Sequence, residues 1–170
     1  MVIKLTEAGL TENARTILGL LEETWQKIQP HLGSPNYTGC IVRIEQLKLP
    51  PMATTMLVGQ VGQHEARLVE LVAEKNTKLR ERNFSAGHQT SRQSRDPYQV
   101  RFGGAIITKY GFANMSGPLI VGVAGLTEEA DEAFAITIAR LTGFLQRADA
   151  DTLAAMSNNQ LYIELLMAPR

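Results

Sequence analysis

The sequence predicts a single α+β domain, residues 1–170, in which long helices pack mainly on one face of an antiparallel sheet. Three observations lead to this prediction. Apolar residues recur at three- and four-residue steps in several segments, as in amphipathic helices, whereas other segments alternate or run continuously apolar, as in strands. The predicted strands lie near residues 40–47, 53–59, 103–109 and 117–124. The 170 residues are 44% hydrophobic and 20% charged, which is typical of one globular core.

Charge and cysteine content narrow the classes of function. Seventeen basic residues balance seventeen acidic ones, so nothing suggests the basic face that nucleic-acid binding needs. The single cysteine, Cys40, excludes an internal disulfide and fits a reducing compartment. The N-terminus lacks a signal-peptide pattern, and no apolar stretch approaches the ~20 residues that span a bilayer. We therefore expect a cytoplasmic protein that binds neither nucleic acid nor a membrane.

The first half of the chain predicts one helix and a hairpin. Thr11 is a good N-cap, and Pro30 ends the periodic segment that follows it. The apolar positions of this helix are Ala14, Ile17, Leu18, Leu21, Trp25 and Ile28. Cys40, Val42 and Ile44 alternate with Ile41, Arg43 and Glu45, and this period of two predicts a half-buried strand. A second strand, 54–58, follows two prolines, so the two strands are expected to form a hairpin.

A long helix from about Gln63 precedes an irregular polar segment, 83–97. Such segments are usually functional or mobile. Residues 74–101 include seven basic and three acidic residues, a local excess of four positive charges in a neutral chain. The basic residues are Lys75, Lys78, Arg80, Arg82, Arg92, Arg95 and Arg101. This excess indicates either a solvated face or attraction of an anionic ligand.

The second half predicts two strands followed by helices. Residues 104–108 lead through a turn to 118–124, which is apolar on both faces, as in a covered central strand. Thr127 is the expected N-cap of the next helix, whose first turn is acidic. An extra C-terminal helix is expected from about residue 151.

Three segments of this half resemble a known family. They are Arg101-Phe-Gly-Gly-Ala-Ile-Ile, Leu119-Ile-Val-Gly-Val-Ala-Gly and Thr127-Glu-Glu-Ala-Asp-Glu-Ala. The pattern of a Phe-Gly-Gly strand entry, a central strand ending in glycine and an acidic helix resembles the GlcG/HbpS-like proteins, which include the C-terminal domain of PduO-type proteins. The resemblance implies a profilin-like two-layer sandwich and a homo-oligomer. It also implies a pocket that in some relatives binds haem or corrinoid.

The predicted ligand site lies between the strand entry, the polar segment and the later turns of the long helix. Its residues are Arg101, Phe102, Gly103, Gly104, His88, Tyr98 and Lys75. Glycines leave room and backbone donors, and Arg101 offers a bidentate clamp for a small or flat ligand with a negative group. The alternative interpretation is that the two glycines only make a turn.

No catalytic residue and no protein-built metal site can be assigned from the sequence. The histidines His31, His64 and His88 are far apart and lack zinc-site spacing. Cys40 has no acid–base partner nearby in sequence and is interpreted as a small buried apolar residue. Two further hypotheses stay open: an enzyme using Arg101 with His88 or Tyr98, and a scaffold or regulatory subunit.

Overall fold

The centre of the fold is a four-stranded antiparallel sheet. The computed structural model describes residues 14–48, 53–96, 98, 102–111 and 117–167. The strands are β1 (Gly39–Gln46), β2 (Ala53–Gly59), β3 (Ala105–Ile107) and β4 (Leu119–Ala124), in the order β2-β1-β4-β3. All three neighbouring pairs are antiparallel. The predicted α+β class and antiparallel sheet are confirmed.

Helices cover both faces of the sheet unequally. They are α1 (Ala14–Ile28), α2 (Glu65–Ala86), α3 (Ser91–Ser94), α4 (Glu128–Leu141), α5 (Arg147–Met156) and α6 (Gln160–Met167). The long helix α2 lies on one face, against β1, β4 and β3, and α3 packs beside it. On the other face α4 packs on β4 and β3, and α1, α5 and α6 pack around α4. The larger helical layer is thus on one face, as predicted. No helix in the described ranges is long and apolar enough to cross a membrane.

Strand β1 is buried on both faces, so the prediction of a half-buried strand is wrong. Cys40, Val42 and Ile44 belong to the core on the α4 side, whereas Ile41 packs toward α2. Glu45 also faces α2 and is only 3% exposed. The reason is that β1 is an inner strand and α2 covers the face that carries its polar residues.

The helix boundaries differ from the predicted ones in two places, and one predicted boundary cannot be compared. Thr11 lies outside the described residues. The polar segment 83–97 is less irregular than expected, because α2 continues to Ala86 and Thr90 starts α3 with a capping box. The single C-terminal helix expected from about 151 is instead two helices, α5 and α6, separated by the turn at 157–159.

The apolar side chains of α4 pack within the core of the chain. Phe134, Ile136 and Ile138 are fully buried, because α4 is surrounded by the sheet and by three other helices. Leu21 of α1 is likewise fully buried. These four side chains therefore leave no apolar surface for contacts with a second copy. Burial within one chain accounts for them.

Candidate functional site

A buried ion pair joins α2 to α4 below the strand entry. Lys75 is 1% exposed, and its Nζ donates to the carbonyl of Val123 (3.0 Å) and to Asp131 Oδ2 (3.1 Å). Asp131 Oδ1 accepts from the backbone N–H of Leu126 at 3.0 Å. Burial raises the pKa of Asp131 to about 6, although the Lys75 charge opposes the rise. Lys75 is therefore buried and paired with protein groups, and it does not face an open site.

A second charged cluster lies under α2 at the other end of the sheet. Arg80 Nη2 donates to Glu45 Oε1, and Arg80 Nε donates to the carbonyl of Leu47 (3.2 Å). Arg43 Nε donates to the other oxygen of Glu45 at 2.7 Å. Much of the local positive excess in the sequence is thus matched in space by acids from β1 and α4.

The double glycine at the strand entry packs tightly against the first turns of α4. The N–H of Gly103 donates to Glu128 Oε1 at 2.8 Å, and a Cβ at this position would meet the Glu128 side chain. Gly104 has φ +113°, and a Cβ there would lie 2.6 Å from both Asp131 Cβ and the Val123 carbonyl oxygen. Among the described residues, atoms lie closer than 3 Å to the position of a Cβ on either glycine, so no ligand-sized space lies on that side. Close packing at both positions and the positive φ of Gly104 are sufficient reasons for the two glycines.

The other predicted site residues are dispersed. Phe102 is buried, and Lys78 Nζ lies 5.2 Å from its ring centroid. His88 Nδ1 is 3.1 Å from Ser94 Oγ, within the cap of α3. Tyr98 is 95% exposed. Arg101 lies outside the described residues. The structure brings Lys75 against Gly104 but leaves Tyr98 in solvent.

An open cavity of about 750 Å³ lies next to this strand entry, where α3, the start of α4 and the turn before α6 meet. We call it the polar cleft. Its lining residues are Tyr37, Arg92, Thr127, Glu128, Glu129, Ser157, Asn158 and Gln160. Thr127 caps α4 by accepting from the N–H of Ala130 (3.2 Å), which confirms the predicted N-cap. Arg95 Nη1 donates to Glu128 at 3.1 Å, so a second arginine flanks the cleft.

A buried acceptor behind the cleft lining lies close to a buried donor on a lining residue. Glu132 is 0% exposed, and its Oε1 accepts from Ser157 Oγ and from Asn159 Nδ2 (3.2 Å). Its Oε2 lies 3.6 Å from Arg92 Nε, which is also 3.8 Å from Glu128 Oε1. Within the described part of the chain, neither Glu132 Oε2 nor Arg92 Nε has a hydrogen-bond partner. Such orphaned buried groups are rare in folded proteins.

Sequence reasoning missed Glu132. The available signal was its position on α4, since it lies four residues before Ile136 and seven before Ala139, both fully buried. An acidic residue on the apolar side of a helix needs a buried partner. Arg92 was counted only within the basic segment, because the sequence does not reveal that α3 approaches α4.

The described residues contain no group of three or more His, Cys, Asp or Glu side chains placed to hold a metal ion. Cys40 is fully buried, which confirms its interpretation as a core residue. Burial raises the pKa of its thiol. Comparison of the chain with models of known protein families, with curated proteins and with solved structures found no match. The resemblance to GlcG/HbpS-like proteins thus stays a prediction from the residues that carry it.

Proposed function

We propose that this chain is a small-ligand-binding protein of the GlcG/HbpS-like type, that its ligand binds in the polar cleft, and that it self-assembles. One observation carries the ligand-binding proposal: Arg92, which lines the open cleft, has its Nε buried beside Glu132 Oε2, which lies behind the lining, and neither atom makes a hydrogen bond within the described residues. The cleft also borders the predicted strand entry, through the bond between Gly103 and Glu128.

The spacing of these two atoms favours a bridging hydroxyl group. At 3.6 Å they are too far apart for a good hydrogen bond, whose N···O distance is about 2.7–3.2 Å. A hydroxyl oxygen placed beside both atoms, off the line that joins them, can accept from Arg92 and donate to Glu132 at normal distances. Leaving a buried donor or acceptor unsatisfied costs roughly 1–3 kcal/mol. A ligand that satisfies both atoms recovers part of that cost on binding.

The charges around the cleft favour a small hydroxyl-bearing metabolite. Arg92 is the lining cation, Glu128 and Glu129 are lining acids, and Glu132 lies behind them. The cleft therefore lacks the positive charge that the basic segment suggested for an anion. A haem or other tetrapyrrole needs mainly apolar walls, which this polar lining does not offer.

The test is a ligand screen with paired compounds. Small polyols and hydroxy acids, each with its deoxy counterpart, are titrated and followed by ligand-observed NMR. Haemin is titrated separately while the Soret band is recorded. We expect hydroxylated compounds to bind, and their deoxy counterparts to bind at least about tenfold more weakly, the equivalent of ~1.4 kcal/mol.

Variants then locate the site. Glu132→Gln keeps one carbonyl oxygen for Ser157 and Asn159 but removes the carboxylate, so it is expected to weaken binding about tenfold. Glu70→Gln, an exposed acid on α2 paired only with Arg67 at 3.4 Å, is the matched control and is expected to have no effect. If Glu132→Gln does not weaken the binding of the compounds found in the screen, their site is another one. If haemin binds stoichiometrically and no hydroxylated compound binds, the ligand is another one.

Self-assembly is proposed from the resemblance and from the zero net charge, which removes one source of repulsion between copies. Exposed apolar side chains add a structural reason, since Phe84 is 65% and Ile163 43% exposed. Size-exclusion chromatography with light scattering is expected to give a mass of two or more times 18.7 kDa. A monomer mass at micromolar concentration would refute this part.

A further inference from the structure

A second cavity, of about 450 Å³, lies at the opposite end of β3 from the strand entry. We call it the apolar pocket, and we propose that it binds a small amphipathic monocarboxylate. Its lining residues are Leu47, Asn83, Gln89, Ile107, Thr108, Lys109, Pro118, Leu145, Asp149, Thr152, Leu153 and Met156. The apolar pocket and the polar cleft share no lining residue. The volume is within the usual range for small-molecule sites.

The walls of the pocket are suited to an apolar ligand body. Ile107, Leu145 and Leu153 are each at most 5% exposed, so they form a rigid wall backed by the core. Met156, on the last turn of α5, is 48% exposed beside them. A flexible thioether side chain at the edge of a cavity adapts to the shape of an apolar ligand and is covered by it.

The charged group at the pocket is Lys109. Its Nζ lies 3.2 Å from Asp149 Oδ1, and the lysine side chain is 58% exposed. An ammonium group has three donors, so Lys109 can remain paired with Asp149 and also bind a carboxylate of the ligand. Asp149 would repel a second negative charge, which favours one carboxylate over two.

Three neutral polar side chains of the lining donate hydrogen bonds within the protein. Asn83 Nδ2 donates to the carbonyl of His88 (2.7 Å), and Thr108 Oγ1 donates to the carbonyl of Tyr110 (2.7 Å). Gln89 Nε2 donates to the carbonyl of Gly87 at 3.2 Å. An apolar body held by the walls and one carboxylate held by Lys109 therefore match what the pocket leaves available.

Octanoate is the probe, with octanol as its neutral counterpart, and binding is measured by calorimetry and by protein NMR shifts. Native protein is expected to bind octanoate about tenfold more tightly than octanol. Lys109→Met should reduce octanoate affinity to that of octanol and leave octanol unchanged. Lys27→Met, which breaks an exposed lysine–glutamate pair on α1, is the control and should change neither affinity.

Thr152→Trp fills the pocket from an exposed position of α5, where the threonine hydroxyl bonds only to the helix carbonyl of Ala148. This variant should fold and should abolish binding of both probes. Glu132→Gln in the polar cleft should leave both affinities unchanged, so failure of the proposed function does not affect this test. The proposal is overturned if octanoate does not bind at millimolar concentration, if Thr152→Trp binds it as well as the native chain, or if Lys109→Met has no effect.

Discussion

Replacing Gly104 by alanine tests whether the strand entry holds empty space or close packing. The added Cβ would lie 2.6 Å from the Val123 carbonyl oxygen and 2.6 Å from Asp131 Cβ, both of which belong to buried, regular elements. Neither atom is the end of a flexible side chain, so the backbone of β4 or α4 has to move. Alanine is therefore expected to destabilise the fold rather than to block a ligand.

The expected loss has two parts. Holding a side-chain-bearing residue at φ +113° costs roughly 1–3 kcal/mol. Overpacking a close contact costs roughly another 1–3 kcal/mol. The sum, about 2–6 kcal/mol, is a large share of the roughly 5–15 kcal/mol that keeps a domain folded.

Gly143→Ala is the matched control. Gly143 also has a positive φ, +79°, but a Cβ there meets nothing within 4 Å. The Gly143→Ala variant is expected to lose only the conformational part of the unfolding free energy, roughly 1–2 kcal/mol. Urea unfolding followed by circular dichroism gives both free energies. If Gly104→Ala loses no more than Gly143→Ala, space does exist beside Gly104 and the packing argument is wrong.

Three other predictions concern the buried charges. Lys75→Met should raise the pKa of Asp131 further above about 6, because the charge that opposes the rise is lost. Carbon NMR titration measures this pKa, and an unchanged or lower value would contradict the ion pair. Because the folded pKa of Asp131 is above its ordinary 3.8, its protonation stabilises the fold at low pH, and that contribution is lost as pH rises from about 4 to 6. Asp131→Asn should remove this slope from urea midpoints, and an identical slope in both proteins would exclude Asp131 as its source. Glu45→Gln should lower the unfolding free energy by about 3 kcal/mol or more, because it leaves Arg80 buried without a carboxylate. The control Glu70→Gln, at an exposed position, should change the unfolding free energy by less than about 0.5 kcal/mol. Equal losses would show that Glu45 is not part of a buried pair.

The strands were predictable because strand patterns are local. Alternation located β1, and the continuous apolar run located β4 as a covered strand. Burial of the polar face of β1 was not predictable, because alternation cannot distinguish a glutamate facing water from one facing a buried arginine. Glu45 and Arg80 are 35 residues apart in sequence, so only the packing of α2 on the sheet pairs them.

The candidate site was predicted less well, for the same reason. The sequence correctly indicated that the strand entry lies near the long helix, since Lys75 is close to Gly104. It did not indicate that acids from α4 fill the space beside the glycines, or that Arg92 approaches Glu132. Both depend on how α4 is oriented relative to α3, and no local pattern encodes that orientation.

The motif that resembles GlcG/HbpS-like proteins has a structural explanation of its own. Gly103 donates its N–H to Glu128, and Gly104 leaves room for Asp131, which in turn pairs with Lys75 of α2. The double glycine and the acidic helix start therefore require each other, because a side chain at either glycine would displace a carboxylate that holds the two helical layers together. Such a unit can be retained whatever the ligand is, since its atoms contact one another. The adjoining cleft shares Thr127, Glu128 and Glu129 with this unit, so any ligand specificity of the cleft has to come also from Arg92 and from the turn before α6, which lie outside the motif.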